Sequence, residues 1–201
     1  MRVLITGFGP FPGAPFNPSA ALAKALARRR RPAFAGIERA VHVFATTYAS
    51  VDRDLPKSFA QKPDIVLMFG VAGRRRQLCI EMRARNAVSL LFPDAGGRKP
   101  LRGVIRLGGP STLTGNAPFA RLAGGPGTQL SRDAGNYLCN YVYWRALEQA
   151  RGTRPLVQFV HIPPVGTKPR PRRRSKKPPT LGQLLKSAEA VLIALIAARR
   201  H

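Results

Sequence analysis

The run Asp64–Phe69 (DIVLMF), followed by Gly70–Gly73 (GVAG), is the stretch that decides the fold class. Consecutive apolar residues without polar alternation are typical of a strand covered on both faces, as the central strands of parallel sheets are. The glycines that follow mark the point where the strand leaves the sheet. We therefore expect a central parallel strand whose carboxyl end opens into a loop.

Strand and helix patterns alternate on either side of this run. We predict further strands at Arg2–Thr6, Ile37–Ala45, Gln77–Arg85 and Leu156–Ile162, and helices after Asn17-Pro18, from about 49 to 61, at Asn136–Ala150 and at Leu181–Arg199. This alternation indicates helices on both faces of a sheet. The prediction is an α/β protein, with residues 1–201 in a single three-layer α/β/α domain around a mostly parallel central sheet. We expect residues 86 to about 127 to be irregular and about 163–179 to form a basic, proline-rich loop.

The charge of the chain is strongly one-sided. Lysine and arginine number 34 against nine Asp and Glu, so the net charge is +25. Two runs concentrate it, Arg28–Arg31 and Arg170–Lys177. Such runs are either solvated surface in an arginine-rich sequence or sites of weak, non-specific contact with nucleic acid. The same charge would oppose close self-association, so the sequence leaves a homo-oligomer open.

Cysteine usage and hydropathy indicate the compartment. Two cysteines in 201 residues do not make a disulfide scaffold. The histidines, cysteines and carboxylates show no CxxC or HxxxH spacing, so we expect no metal site. No apolar run reaches the roughly 18–20 residues of a membrane helix, and the N-terminal residues lack the long apolar region of a signal peptide. We expect a cytoplasmic protein with free thiols and no membrane contact.

Three residues are candidates for chemistry. Cys139 lies near the start of a predicted helix, where the partial positive charge of the helix N-terminus favours the reactive thiolate. His161 ends a predicted strand, from which it can act as a general base towards a thiol. Glu81 is a scarce carboxylate in a buried-looking strand, and it could orient His161 and stabilise the imidazole cation.

Each candidate also has a structural explanation. Cys139 fits a small buried helix residue, His161 fits a hydrogen-bonded core residue, and Glu81 fits an ion pair with an arginine such as Arg83. Cys79 shares the face of Glu81 on a strand and is the rival nucleophile. It lacks the helix N-terminus that would lower the pKa of its thiol.

Five motifs in order along nearly the whole chain resemble those of the pyrrolidone-carboxylate peptidases, also called pyroglutamyl peptidases I. They are TGFGPF with NPS (6–11 and 17–19), GVAG with IEMRARN (70–73 and 80–86), GPSTL (109–113), SRDAGNYLCN (131–140) and FVHIPPVG (159–166). Jointly the motifs are specific, although each alone is weak. The resemblance implies a cysteine exopeptidase that removes an N-terminal pyroglutamyl residue from small peptides without a cofactor.

The resemblance also implies a role for each matching residue. Cys139 would attack the pyroglutamyl carbonyl carbon to give a thioester, His161 would take and return the proton, and Glu81 would hold the imidazole. Backbone N–H groups at the start of the helix that carries Cys139 would stabilise the oxyanion. The positions that match substrate-binding residues of the family are Phe8, Phe11, Asn17 and Val71.

The chain departs from the family pattern at Arg74, Met82 and Leu91, at Thr114, and in the unusually basic loop 167–179. They leave the three catalytic residues intact but bear on substrate preference. Two alternatives therefore stay open. One is a cysteine amidohydrolase that acts on another lactam or acyl amide. The other is a non-catalytic protein that binds polyanions on a hydrolase scaffold.

Overall fold

A computed structural model describes residues 1–11, 15–125, 127–152, 155–166 and 178–200. The strands and helices of these residues follow one another as β1 (Arg2–Phe8), α1 (Pro18–Arg28), β2 (Glu38–Phe44), α2 (Tyr48–Ala60), β3 (Ile65–Val71), β4 (Leu78–Glu81), β5 (Arg83–Arg85), β6 (Thr112–Thr114), α3 (Phe119–Ala123), β7 (Thr128–Ser131), α4 (Leu138–Ala150), β8 (Leu156–Ile162) and α5 (Leu181–Arg200).

The main sheet has six strands in the order β2-β1-β3-β8-β4-β7. The pairs β1–β2, β1–β3, β3–β8 and β4–β7 are parallel, and β4–β8 is antiparallel. Strand β3 lies inside the sheet, and its residues Ile65–Phe69 are completely buried, as the apolar run predicts. The predicted α/β class with a mostly parallel sheet is confirmed.

Helices cover both faces of the sheet. On one face, Leu22 of α1, Leu122 of α3 and Leu192 of α5 share an apolar cluster with the strands. On the other face, Val51 of α2 and Trp144 of α4 belong to a second cluster. The sheet therefore separates two cores, and α4 lies on the second face.

Side-chain caps define where several helices begin. The Asn17 side chain accepts a hydrogen bond from the backbone N–H of Ser19, and Pro18 is the first residue of α1, as the Asn-Pro pair predicts. Thr47 caps α2, and the Thr180 hydroxyl accepts from the N–H of Gln183 at the start of α5.

One predicted strand is wrong in extent. The stretch from 77 to 85 is not continuous but divides at Met82, whose N–H donates to the Ser131 carbonyl and whose carbonyl accepts from the N–H of Gly115. Ser131 belongs to β7 of the main sheet and Gly115 follows β6, so Met82 is bonded to both sheets. Strand β5, which follows it, pairs with β6 in a separate two-stranded sheet. Three short elements, β6, α3 and β7, lie in or just beyond the stretch that the sequence predicts to be irregular. Their lengths of three to five residues leave little periodicity to detect.

The last helix, α5, is long and apolar enough to cross a membrane by length and composition, although no single apolar run in it reaches that length. Its residues Leu184, Leu192 and Leu195 are nevertheless buried in the first core. Its Glu189 is almost fully buried and forms ion pairs with Arg29 and Arg31. Part of the first basic run is thus paired with a carboxylate. The second run, Arg170–Lys177, and most of the predicted basic loop lie outside the described residues.

Candidate active site

The carboxyl ends of β1, β3 and β8 lie at the same edge of the sheet because these strands are parallel. Strand β4 runs the opposite way beside β8, with Cys79 opposite His161 and Glu81 opposite Phe159. Residues two apart on a strand point to the same face. Glu81 therefore shares the face of Cys79, His161 and Phe159, which is the face that α4 covers.

Glu81 and His161 form a buried pair. The His161 Nδ1 atom lies 2.8 Å from Glu81 Oε1, and the two residues are 5% and 0% exposed. The backbone carbonyl of Glu81 accepts hydrogen bonds from the Tyr143 hydroxyl at 2.9 Å and from the Gln158 side-chain amide at 3.0 Å. Glu81 is thus fixed at both its main chain and its carboxylate, and it holds one nitrogen of the imidazole.

The alternative that Glu81 pairs with a neighbouring arginine does not hold. Arg83 donates to the Arg132 carbonyl, and Arg85 pairs with Asp133 at 2.9 Å. The arginines of β5 lie on the small sheet, past the break at Met82. The carboxylate of Glu81 therefore pairs with His161.

Cys139 is the second residue of α4 and is partly exposed. Burial alone would lower the pKa of His161, but the charge and hydrogen bond of the Cys139 side chain, together with those of Glu81, raise it to about 9. Since Glu81 occupies Nδ1, the other ring nitrogen, Nε2, is left to face the thiol. The structure thus brings the three predicted catalytic residues together, although they come from three separate elements.

A glycine makes room for the sulfur of Cys139. A Cβ atom added to Gly70 would lie 2.7 Å from Cys139 Sγ and 2.7 Å from the Phe159 ring. The Phe159 ring in turn packs edge-on against His161, with the ring centroids 5.0 Å apart. The end of β3 therefore permits the close approach of α4 that places the thiol beside the imidazole. The sequence predicts a strand exit at Gly70 but not this contact, because α4 is remote in the chain.

The start of α4 differs from those of α1, α2 and α5, since its N-cap residue Tyr137 makes no side-chain capping bond. The first backbone N–H groups of a helix have no partner within the helix. At α4 they surround Cys139, and the helix dipole adds partial positive charge there. This end of the helix is suited to bind a developing negative charge.

Cys79 has a different environment. Its sulfur accepts a hydrogen bond from the Gln129 side-chain amide at 3.0 Å, and burial raises the pKa of its thiol. A raised pKa disfavours the thiolate at neutral pH. Of the two cysteines, Cys139 is therefore the better nucleophile.

The predicted substrate-binding residues lie around the same edge. Phe8 is part of β1 and almost fully buried, with its ring 5.9 Å from Phe44, while Phe11 is 38% exposed. The Asn17 amide donates to the Gly9 carbonyl, and Val71 is the last residue of β3. The ring-binding role of these residues stays a prediction.

Asn140 is a structural residue of the site that sequence analysis does not single out. It is 1% exposed, and its side chain exchanges hydrogen bonds of 2.8 Å with the N–H and carbonyl of Arg85 and donates to the Ala87 carbonyl. It thereby ties the start of α4 to the end of β5. An asparagine beside the nucleophile at a predicted helix start is the signal that could have found it.

A thiol at an uncapped helix start, an imidazole and a buried carboxylate define a cysteine hydrolase on an α/β fold. Comparison with known proteins gives the family. The profile of the family described as pyroglutamyl peptidase matches residues 1–201, and the chain belongs to this family of cysteine peptidases.

The relatives agree with this assignment. The chain is 34% identical to the pyrrolidone-carboxylate peptidase of Gloeobacter violaceus over 81% of its own length and 82% of that protein. The crystal structure of Bacillus amyloliquefaciens pyroglutamyl peptidase I superposes with a TM-score of 0.82 and 26% identity, covering all of this chain and 97% of that one. The pyrrolidone carboxyl peptidase from Thermococcus litoralis has the same fold, with a TM-score of 0.89 at 24% identity over 99% of this chain and 94% of that one.

Proposed function

We propose that this protein hydrolyses the amide bond after an N-terminal pyroglutamyl residue, with Cys139 as nucleophile, His161 as general base and acid, and Glu81 as the group that orients the imidazole. Membership of the pyroglutamyl peptidase family supports the reaction and the substrate class. The single observation that supports the residue roles is the proximity of His161 to both Cys139 and Glu81.

The reaction proceeds in two halves. The Cys139 thiol gives its proton to His161, and the sulfur attacks the carbonyl carbon of the pyroglutamyl residue. The carbonyl electron pair moves onto oxygen, next to the free N–H groups at the start of α4. When the C–N bond breaks, His161 gives its proton to the departing amine, which leaves a thioester. His161 then takes a proton from water, whose oxygen attacks the thioester, and pyroglutamate is released with the thiol restored.

Glu81 contributes electrostatically rather than as a proton acceptor. Its carboxylate holds Nδ1 of His161, so that Nε2 faces the thiol, and it stabilises the imidazole cation in each half-reaction. The pair is buried, and the charge interaction is therefore stronger than it would be in water.

Phe8, Phe11, Asn17 and Val71 are proposed to bind the lactam ring. Phe8 ends β1, and Val71 ends β3 directly after Gly70, which approaches the thiol. The Asn17 amide is held by the carbonyl of Gly9, just past β1, and these positions support the role. Aromatic and aliphatic side chains suit the apolar body of the ring, and backbone groups or Asn17 suit its amide.

The number of domains, the cellular location and the partners of the protein remain predictions from the sequence. We propose one domain over residues 1–201, a cytoplasmic location, and small peptides with N-terminal pyroglutamate as substrates. A homo-oligomer and weak contact with nucleic acid through the basic runs are further predictions that oligomeric-state and binding measurements would decide.

The test is release of a chromophore from a pyroglutamyl amide. Cys139→Ala and His161→Ala are expected to lower kcat/KM by at least about 10³-fold, because a Cys-His pair acts as a unit. Cys79→Ser is the matched control and should keep most of the activity. Activity that survives Cys139→Ala, or that is lost in a well-folded Cys79→Ser variant, would contradict the assignment.

A further inference from the structure

Three arginines contact the segment Ser131–Gly135, which leads directly into the catalytic helix α4, and a fourth, Arg132, belongs to the segment. We define Arg75, Arg83, Arg85 and Arg132 as the arginine cluster. Arg75 Nη2 donates to the Ser131 hydroxyl at 3.1 Å and to the Asp133 carbonyl at 3.2 Å. Guanidinium groups therefore lie next to Ser131–Gly135, just before the helix that carries Cys139 begins.

The other contacts of the arginine cluster are also with this segment. Arg83 Nε donates to the Arg132 carbonyl at 3.0 Å, and Arg85 Nη2 donates to the Gly135 carbonyl at 3.3 Å. A bond to a neutral carbonyl positions a guanidinium but leaves its full positive charge in place. Among the described residues, Asp133 is the carboxylate that pairs with the arginine cluster, through Arg85.

The charge balance of the arginine cluster and the segment Ser131–Gly135 is accordingly positive. Asp133 offsets one of the four cations, and Glu81 is already committed to His161. The side chains of Arg83 and Arg132 lie at exposed positions, where a substrate in solution meets their field. The net charge of +25 for the whole chain adds to the same sign of potential.

We propose that the arginine cluster makes this enzyme selective for acidic pyroglutamyl peptides, those with a carboxylate close to the bond that is cleaved. The inference rests on the proposed function and adds the charge class of the substrate. A cationic surface beside a reactive group attracts anionic substrates and raises their association rate, and salt weakens the effect.

The test compares two substrates that differ by one charge and almost nothing in shape, pyroglutamyl-glutamate amide and pyroglutamyl-glutamine amide. At low salt, we expect kcat/KM to be about tenfold higher for the glutamate peptide, within the range that electrostatic steering provides. Between about 0.01 and about 0.15 M salt, the Debye length falls from about 30 to about 8 Å, and the ratio should fall with it.

Two double variants locate the effect. Arg83→Gln/Arg132→Gln removes two charges of the arginine cluster and should reduce the ratio several-fold at low salt while sparing the glutamine peptide. Lys24→Gln/Arg30→Gln removes two exposed charges from α1 and the residues after it, on the opposite side of the sheet, and should leave the ratio nearly unchanged.

The outcomes separate the two proposals. A ratio near one at low salt, or an equal fall in the α1 double variant, would overturn the selectivity for acidic peptides while leaving the peptidase assignment intact. If neither peptide is cleaved by the folded wild-type protein, the proposed function itself fails.

Discussion

His161 is the residue on which the chemistry depends, and its environment sets the pH range of the enzyme. Burial opposes its protonation, yet the side chains of Cys139 and Glu81 raise its pKa to about 9 from an ordinary value of 6.5. The imidazole is then a cation at neutral pH, beside a thiol at a helix start. The imidazolium can then give its proton to the departing amine.

The pH profile tests this arrangement. Because departure of the amine needs the imidazolium proton, kcat/KM should hold through neutral pH and fall as pH rises through about 9. The stabilisation of the fold that the raised pKa provides is full below about pH 6.5 and is lost over the same upper range. In Glu81→Gln the cation loses its carboxylate, so the alkaline fall should begin at lower pH. A profile that is the same in both proteins would contradict the role of Glu81.

A Cβ atom added at Gly70 tests whether the position of the Cys139 thiol depends on this glycine. In Gly70→Ala the new methyl group would meet Cys139 Sγ and Phe159 at 2.7 Å, so the thiol must move. A displacement of this size is expected to lower kcat by about 100-fold. Gly73→Ala is the control, since its Cβ would meet no atom within 4 Å. Equal activity of the two variants in steady-state assays would refute the steric argument.

At the scale of elements, the sequence predicts the strands of the central sheet well. The strands β1, β3 and β8 and the helices α1, α4 and α5 have strong apolar patterns or caps, and the structure has them within a few residues. The break at Met82 could not be predicted, because the next residues pair with β6 (Thr112–Thr114), which is remote in sequence. The contact of Gly70 with Cys139 likewise joins segments that are remote in sequence. Asn140 has only its place beside the nucleophile as a signal in the sequence.

Asn140 links the start of α4 to the end of β5 through side-chain hydrogen bonds, and a substitution can test this link. Asn140→Ala would leave the N–H and carbonyl of Arg85 and the carbonyl of Ala87, which lie in a partly buried environment, without their partner. We expect a loss of about 2–3 kcal/mol in the free energy of unfolding, measured with urea, because unpaired buried polar groups are costly. Asn136→Ala, which shortens an exposed side chain nearby, should cost much less. Equal losses would show that Asn140 is not a structural link.

For the whole molecule, the balance of charge is the dominant physical property. With a net charge of +25, repulsion between like charges opposes the compact state at low ionic strength. The ion pairs of Glu189 with Arg29 and Arg31 stabilise the compact state, but they neutralise few of the 34 lysine and arginine charges.

Salt should therefore stabilise this protein. The urea midpoint is expected to rise between about 0.01 and about 0.15 M NaCl, as screening weakens the repulsion. Titration with a neutral osmolyte at the same osmotic strength controls for solvent effects that do not involve charge. A midpoint that falls with salt would mean that the ion pairs outweigh the repulsion.

The uncapped start of α4 has a consequence for protein engineering. A Ser, Thr or Asp at an N-cap position typically stabilises a helix by about 1 kcal/mol, and a search for thermostable variants would favour such a residue in place of Tyr137. The new side chain would occupy the N–H groups that stand ready for the oxyanion, and a carboxylate would place negative charge there. Selection for stability alone would therefore tend to yield robust but inactive proteins, and activity has to be screened alongside it.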